Sequence, residues 1–162
     1  MKISSIVAMG KNRVIGKDNQ MMWSIPAETK HYKDCLGDHF FIIGRKNFEG
    51  SKDKIDKSKA LILTRNKDYQ SQAKTFNELE EAIIFAKSQG ESELFVLGGE
   101  KIYEAMMPKI DYLYLTVIDY EEEGDTYFPK HEHYNWSIIE EFSKEQNKGN
   151  PIAWKFKKLL RS

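Results

Sequence analysis

The sequence contains very little cysteine and no excess of either charge. Cys35 is the only cysteine among 162 residues, which excludes an internal disulfide and any metal site built from several thiolates. The 25 Lys and Arg residues balance the 25 Asp and Glu residues. The chain therefore lacks the global positive field that attracts nucleic acid or anionic membranes, and an anionic ligand must be bound by a local group of cations.

Long hydrophobic runs and linkers are also absent. No apolar run approaches the roughly 20 residues of a membrane helix, and the amino terminus has too short an apolar segment for a secretory signal. We therefore expect a cytoplasmic protein that binds neither membranes nor nucleic acid. No repeat, low-complexity tract or Pro/Gly/Ser linker divides the chain, so residues 1–162 are expected to form a single domain, which we predict to be monomeric.

Short apolar runs alternate with helical patterns along the chain. Pro26 suits the first position of a helix that reaches about Leu36, which places Glu28 in the first turn. Residues 75–78 (TFNE) have the spacing of a capping box and predict a helix that ends near Gly90. Two further short helices are expected after glycine turns, at residue 44 and at residues 98–99. The predicted strands are residues 3–9, 40–43, 60–63, 94–97 and 112–118.

The carboxyl-terminal segment has a different pattern from the rest. Residues 136–139 and 152–156 flank a turn-rich segment at 147–151 (NKGNP), which predicts an antiparallel hairpin at the edge of the sheet. We predict an α/β fold with a mostly parallel central sheet, helices on both faces and this hairpin at the carboxyl terminus. In such folds the ligand crevice lies at the carboxyl ends of the strands.

Two glycine-containing turns between strands and helices are candidate phosphate sites. Residues 44–47 (GRKN) and 98–101 (GGEK) each place backbone N–H groups and cations at the start of a helix. A glycine required only to bend the chain explains either turn alone equally well. Both turns together, with Thr64 and Arg65 after a third strand, favour a ligand with more than one phosphate. The Rossmann and P-loop motifs are both absent.

The segment at residues 21–28 (MMWSIPAE) ends a long glycine-containing loop. On local sequence alone, Glu28 is best explained as a carboxylate that complements the helix dipole, and Trp23 as a core residue. Six segments in order give the chain a wider resemblance, to the dihydrofolate reductase family. They are residues 6–9 (IVAM), 12–16 (NRVIG), 23–28 (WSIPAE), 43–46 (IGRK), 96–103 (VLGGEKIY) and 123–129 (EGDTYFP).

The resemblance implies an enzyme that uses NADPH to reduce dihydrofolate to tetrahydrofolate. Glu28 matches the acidic residue that binds the pterin, where hydride reaches C6 and N5 is protonated from solvent. Its apolar pocket is expected to raise its pKa above the reference of about 4.3. Met21 matches a mobile loop over the nicotinamide, propped by residues 124–125, and Trp23 matches a residue that holds water near Glu28. The implied catalytic residues are Glu28, Trp23, Met21, Thr116 and Tyr103.

The same matching implies the residues of both binding sites. The substrate-binding positions are Ile6, Val7, Glu28, Thr29, Tyr32, Ile55 and Leu97. The cofactor-binding positions are Ala8, Ile15, Gly16, Gly44, Arg45, Lys46, Asn47, Leu63, Thr64, Arg65, Gly98, Gly99, Glu100, Lys101, Ile102, Tyr103 and Thr126. The cations among them favour NADPH over NADH, because NADPH carries an extra phosphate. The family also has a cis peptide bond between residues that match Gly98 and Gly99.

The chain departs from the family pattern at two informative positions. Met22 stands where the family usually has proline, which leaves the loop backbone less constrained. Ser58 stands where the family usually has an arginine that binds the α-carboxylate of the glutamate tail. Lys57 or Lys59 cannot reproduce a planar two-bond contact, so we expect weaker binding of the tail.

The sequence leaves two other functions open. The related pyrimidine reductase of riboflavin synthesis shares the fold and NADPH, and the missing arginine favours it, whereas Trp23 with Glu28 favours the pterin enzyme. A nucleotide-binding sensor without turnover is the second alternative, although a sensor needs no buried carboxylate. His131 and His133 lie in a polar turn without a cysteine partner, and we expect no metal there.

Overall fold

The computed structural model describes residues 1–51, 53–148 and 150–162. An eight-stranded sheet forms its centre, in the spatial order β5-β4-β3-β6-β1-β7-β10-β9, and β2 pairs with β8 in a separate two-stranded sheet. The strands are β1 (Lys2–Gly10), β2 (Val14–Gly16), β3 (Phe41–Gly44), β4 (Ala60–Leu63), β5 (Lys74–Phe76), β6 (Glu93–Val96), β7 (Tyr112–Ile118), β8 (Thr126–Tyr127), β9 (Trp136–Lys144) and β10 (Trp154–Arg161).

The strand directions confirm a mostly parallel sheet. All pairs from β5 to β7 are parallel, whereas β10 runs antiparallel to both of its neighbours. The inner parallel strands, β1, β3, β4, β6 and β7, are largely buried, which explains why they consist mostly of apolar residues, whereas the edge strand β5 is partly exposed. Their carboxyl ends share one edge of the sheet, and this arrangement places the glycine turns after β3 and β6 side by side.

Helices cover both faces, as predicted. The helices are α1 (Pro26–Leu36), α2 (Arg45–Ser51), α3 (Leu79–Ser88) and α4 (Glu100–Met106). Leu36 of α1 and Phe48 of α2 pack in one hydrophobic cluster with Ile6 of β1. Ala82 of α3 and Met106 of α4 pack in the other cluster, with Val7 of β1. Each helix in the described segments is too short or too polar to span a membrane.

Two sequence predictions about element boundaries need correction. The capping box at 75–78 is wrong: Thr75 lies in β5 opposite Ile62, and Glu78 is the N-cap residue of α3 without a side-chain hydrogen bond to the helix. The hairpin strands extend to Lys144 and Arg161, and the second begins at Trp154 rather than at 152. The predicted hairpin turn includes Gly149, which lies outside the described residues. Pro108 sits within a short 3-10 helix, Met107–Lys109, that continues from α4.

Candidate active site

The two glycine turns meet at the carboxyl edge of the sheet. The backbone N–H of Gly44 donates to the carbonyl oxygen of Gly98 at 2.8 Å. The Gly98–Gly99 peptide bond is cis, and Gly98 has a φ of +105°. A Cβ on Gly98 would lie 2.7 Å from the Tyr103 ring and 3.2 Å from the Asn47 amide nitrogen. Glycine is therefore required at residue 98, and the two candidate phosphate turns form one surface.

Tyr103 ties this surface to the central strand. Its buried hydroxyl lies 2.8 Å from the carbonyl oxygen of Ile6 and 2.9 Å from that of Leu97, so it can donate to either. The ring packs edge-to-face on Phe128, with ring centroids 4.9 Å apart. Burial raises the pKa of the Tyr103 phenol well above its usual value. The hydroxyl therefore stays protonated and acts as a hydrogen-bond donor between β1 and the turn after β6.

Glu28 is an almost completely buried carboxyl group in the first turn of α1. It is 3% exposed, and burial raises its pKa from 4.5 to about 7. Among the residues that the structure describes, its Oε1 has no hydrogen-bond partner, and neither does the buried indole Nε1 of Trp23. Leaving such groups unpaired is costly. An unpaired acceptor and an unpaired donor in one segment are therefore suited to a polar ligand or to bridging water.

Apolar side chains form the surroundings of Glu28. Ile6 and Leu97 belong to the hydrophobic cluster on this face of the sheet, and Trp23, Tyr32 and Ile55 pack against it while keeping part of their surface exposed. Four of the predicted substrate-binding residues (Ile6, Tyr32, Ile55 and Leu97) are thus brought together with Trp23. Val7, by contrast, faces the opposite cluster, and Thr29 is exposed on α1.

The two remaining catalytic candidates occupy different environments. Thr116 is buried in β7, paired in register with Ala8 of β1. No direct hydrogen bond joins Thr116 to Glu28, both of which are described residues, so its supporting role stays a prediction. Met21 is 57% exposed, in the segment that follows β2. Its side chain is thus accessible to solvent.

The start of the segment between β2 and α1 is held from two sides. The N–H of Asp18 donates to Asp125 Oδ2 at 2.8 Å, and the N–H of Asp125 donates to the carbonyl of Gly16 at 3.0 Å. On its other side, the Asn19 amide donates to the carbonyl of Lys46 at 2.9 Å. The predicted contact between residues 124–125 and this segment is therefore present.

Cations and small polar groups surround the paired turns. Arg45 forms an exposed ion pair with Glu49 at 3.1 Å, and Lys46, Arg65 and Lys101 are exposed. Thr64 is buried at the end of β4, where its hydroxyl accepts the N–H of Asn66 at 3.1 Å. The exposed ion pair can exchange Glu49 for another anion at little cost. Partly buried Ile15, Leu63 and Ile102 pack on the cluster that contains Tyr103, and Thr126 lies in β8 beside Gly16.

Comparisons with known proteins agree with this geometry. A sequence model described as dihydrofolate reductase matches residues 2–161. The chain is 35% identical over 157 residues to dihydrofolate reductase of Staphylococcus haemolyticus, covering 96% of this chain and 93% of the relative. It is 34% identical over 155 residues to dihydrofolate reductase of Bacillus subtilis, covering 95% and 91%.

A solved structure shows the same fold. Dihydrofolate reductase from Enterococcus faecalis, complexed with NADP(H) and RAB-propyl, superposes with a TM-score of 0.89 at 26% identity, covering 99% of this chain and 96% of that one. The chain belongs to the dihydrofolate reductase family. This membership does not favour the pyrimidine reductase alternative. The neighbour shares the predicted fold, a mostly parallel sheet with an antiparallel pair of strands at the carboxyl terminus.

The position at which this chain departs from the dihydrofolate reductase pattern has a local structural role. Ser58 lies in a short 3-10 helix, Lys57–Lys59, whose N-cap is Asp56. The Asp56 carboxylate accepts the Ser58 N–H at 3.0 Å and the Ser58 hydroxyl at 2.6 Å. Nearby, Lys57 donates to Gln72 at 3.3 Å, and the Lys59 ammonium lies 4.6 Å from the centre of the Phe40 ring. Both lysines thus have contacts of their own.

Sequence reasoning missed two residues that shape the site of this family member. Tyr120 packs edge-to-face on Trp23, with ring centroids 5.4 Å apart, and its place just after β7 at the ligand edge was the available signal. Asn77 donates to the carbonyl of Thr64 at 2.8 Å and fixes the end of β4. Among the residues that the structure describes, no group of three or more His, Cys, Asp or Glu could hold a metal ion.

Proposed function

We propose that this protein reduces 7,8-dihydrofolate to 5,6,7,8-tetrahydrofolate with NADPH, by hydride transfer to C6 and protonation at N5. One observation carries the proposal: Glu28 is a buried carboxyl group with an unpaired oxygen, and Trp23, five residues earlier in the chain, has a buried indole N–H that is also unpaired. The pterin has amide and amino N–H groups that a carboxylate accepts. Action in the cytoplasm, as a monomer, stays a prediction.

The residues at the paired turns fit a dinucleotide cofactor. Gly98 and Gly44 leave no side chain between the turns, and the start of α4 after Gly99 would offer backbone N–H groups to a phosphate. Arg45, Lys46 and Arg65 supply charge for the additional phosphate of NADPH, with the polar Thr64 at the end of β4. The proposal assigns Ala8, Ile15 and Tyr103 to the nicotinamide site. When bound, the nicotinamide supplies the hydride.

Glu28 controls the proton that the reaction consumes. The complex that reacts carries one proton more than an ionised Glu28 and a neutral pterin carry together. That proton can reside on the carboxyl group of Glu28 or on N5 of the pterin. Burial raises the pKa of Glu28 to about 7, so the required proton is present at neutral pH and is lost above it. The value of kcat/KM should therefore be constant below about pH 7 and fall about tenfold per pH unit above it.

The direct test mixes the purified protein with NADPH and dihydrofolate and follows the loss of nicotinamide absorbance. We expect turnover in the wild type and a loss of about 100-fold or more in Glu28→Gln near neutral pH, with NADPH binding retained because Glu28 lies outside the cation group. Glu28→Asp is the matched control, since it keeps the carboxyl and should retain much of the activity. Unchanged turnover in Glu28→Gln would remove Glu28 from this role.

The same assay separates the two alternatives. A pyrimidine reductase would consume NADPH with a phosphoribosylated aminouracil but not with dihydrofolate. A sensor would bind NADPH and turn over neither compound. The buried Glu28 supports the pterin enzyme over both, because its carboxyl suits the N–H groups of a pterin, and a carboxyl whose pKa is raised by burial is typical of a functional site.

A further inference from the structure

The side chain of Glu100 joins the glycine turn to the small two-stranded sheet. Glu100 is the first residue of α4, directly after Gly99, and its side chain is half-buried. Its Oε1 accepts the backbone N–H of Tyr127 in β8 at 3.2 Å. This hydrogen bond connects two elements that are separated by 27 positions in the sequence.

Strand β8 is in turn fixed to the segment that leads to Met21. Tyr127 pairs with Val14 and Thr126 with Gly16. The next residue back, Asp125, accepts the Asp18 N–H through its carboxylate at 2.8 Å. A displacement of β8 from α4 would therefore move residues 16–18 as well.

Close packing makes this connection stiff. A Cβ on Gly124 would lie only 2.3 Å from the carbonyl oxygen of Gly16 and 2.6 Å from a methyl group of Val14. The Tyr127 hydroxyl also lies 3.2 Å from both the N–H and the carbonyl of Gly124. Residues 124–127 thus form a compact unit with little room to shift independently of β2.

The charge of Glu100 does not assist phosphate binding. A carboxylate one residue beyond Gly99 repels an anion at that turn. Its contact with Tyr127 gives it a different role. We propose that Glu100 is a positioning residue that holds β8, and through it residues 16–18, against the phosphate-binding turn. The hydrogen bond from Tyr127 to Glu100, here called the bridge, couples the occupancy of that turn to the position of the Met21 segment. The consequence of this coupling for hydride transfer rests on the proposed function.

Hydrogen exchange in the free protein tests the bridge without any assay of activity. Glu100→Ala removes the acceptor, whereas Glu100→Gln keeps an acceptor oxygen and removes only the charge. We expect exchange in peptides covering residues 14–20 and 124–128 to be about tenfold faster in Glu100→Ala and within about twofold of wild type in Glu100→Gln. Glu104→Ala is the matched control, because it removes an exposed carboxyl from the same helix.

Two outcomes would overturn the inference. One is faster exchange confined to residue 127 and its neighbours, with residues 14–20 unchanged. The other is equal exchange rates in Glu100→Ala and Glu100→Gln, since the acceptor oxygen that glutamine keeps would then make no difference to these segments.

Kinetics add a second readout. Both Glu100 variants should bind NADPH a few-fold more tightly because both remove the repelling charge, but only Glu100→Ala should lower the single-turnover rate of hydride transfer. Equal rates in the two variants would contradict the coupling. A protein that turns over no dihydrofolate at all would defeat the proposed function while leaving the exchange result interpretable.

Discussion

Burial of Glu28 carries a cost in stability that depends on pH. The carboxyl has a pKa of about 7 when folded and of 4.5 ordinarily, so between these values the native state holds a proton that the unfolded state has lost. The contribution of Glu28 to the free energy of unfolding therefore decreases as pH rises from about 4.5 to about 7 and is constant above that range. A shift of this size corresponds to about 3 kcal/mol.

Glu28→Gln should remove this cost. Relative to wild type, the variant should become more stable as pH rises, by about 3 kcal/mol between about pH 4 and about pH 8. Urea unfolding of both proteins across this range measures the difference. A difference that is independent of pH would show that the carboxyl is not buried in an apolar environment. The expected pattern, low activity with high stability, is typical of residues retained for function.

At the scale of single residues, sequence could place Glu28 but not its environment. Pro26 begins α1 as predicted, and this fixes Glu28 in the first turn. The environment of Glu28 depends on tertiary contacts. Trp23 and Tyr120 pack edge-to-face although they lie far apart in the sequence, and no local sequence pattern predicts such a contact.

At the scale of elements, the strands that could be predicted are the ones buried on both faces. The strands at residues 60–63 and 112–118 have the predicted bounds. Both consist mostly of apolar residues, which an inner strand of a sheet can bury on both of its faces. Strands β2, β5 and β8 contain two or three residues each and form only because a partner is present. Thr75 illustrates this: its pairing with Ile62 overrides a local helix-capping signal.

The short 3-10 helix Lys57–Lys59 carries a prediction about the glutamate tail. Ser58→Arg places a planar cation on this exposed element, where family members usually have one. We expect dihydrofolate to bind about tenfold more tightly, since a bidentate contact with a carboxylate is a strong hydrogen bond, and a dihydropterin without the glutamate tail to bind as before. Titration of both ligands measures this.

Two further substitutions separate the causes. Ser58→Ala removes the hydroxyl bond to Asp56 without adding charge, and should change neither affinity. Ser58→Lys adds a point charge and should give a smaller gain than arginine. An equal gain for both pterin ligands in Ser58→Arg would mean that the substitution acts through the loop rather than through the tail.

Across the whole molecule, a formal net charge of zero conceals a separation of charge. Arg45, Lys46, Arg65 and Lys101 lie around the paired turns, whereas Glu28 lies among apolar side chains. The anionic ligands should therefore differ in their response to salt. On the proposed function, NADPH would meet exposed cations, whereas the glutamate tail of dihydrofolate would meet Ser58.

We accordingly expect NADPH to bind several-fold more weakly as ionic strength rises from about 0.05 M to about 0.5 M, because exposed charges are screened over this range. The affinity for dihydrofolate should change much less. Arg65→Ala should weaken NADPH binding at low salt and reduce its salt dependence, with little effect on NADH, which lacks the additional phosphate. Titrations of the three ligands at several salt concentrations measure these slopes. Equal slopes for NADPH and NADH would indicate that the cations contact only the phosphates that the two cofactors share, and Arg65 would then have no part in choosing between them.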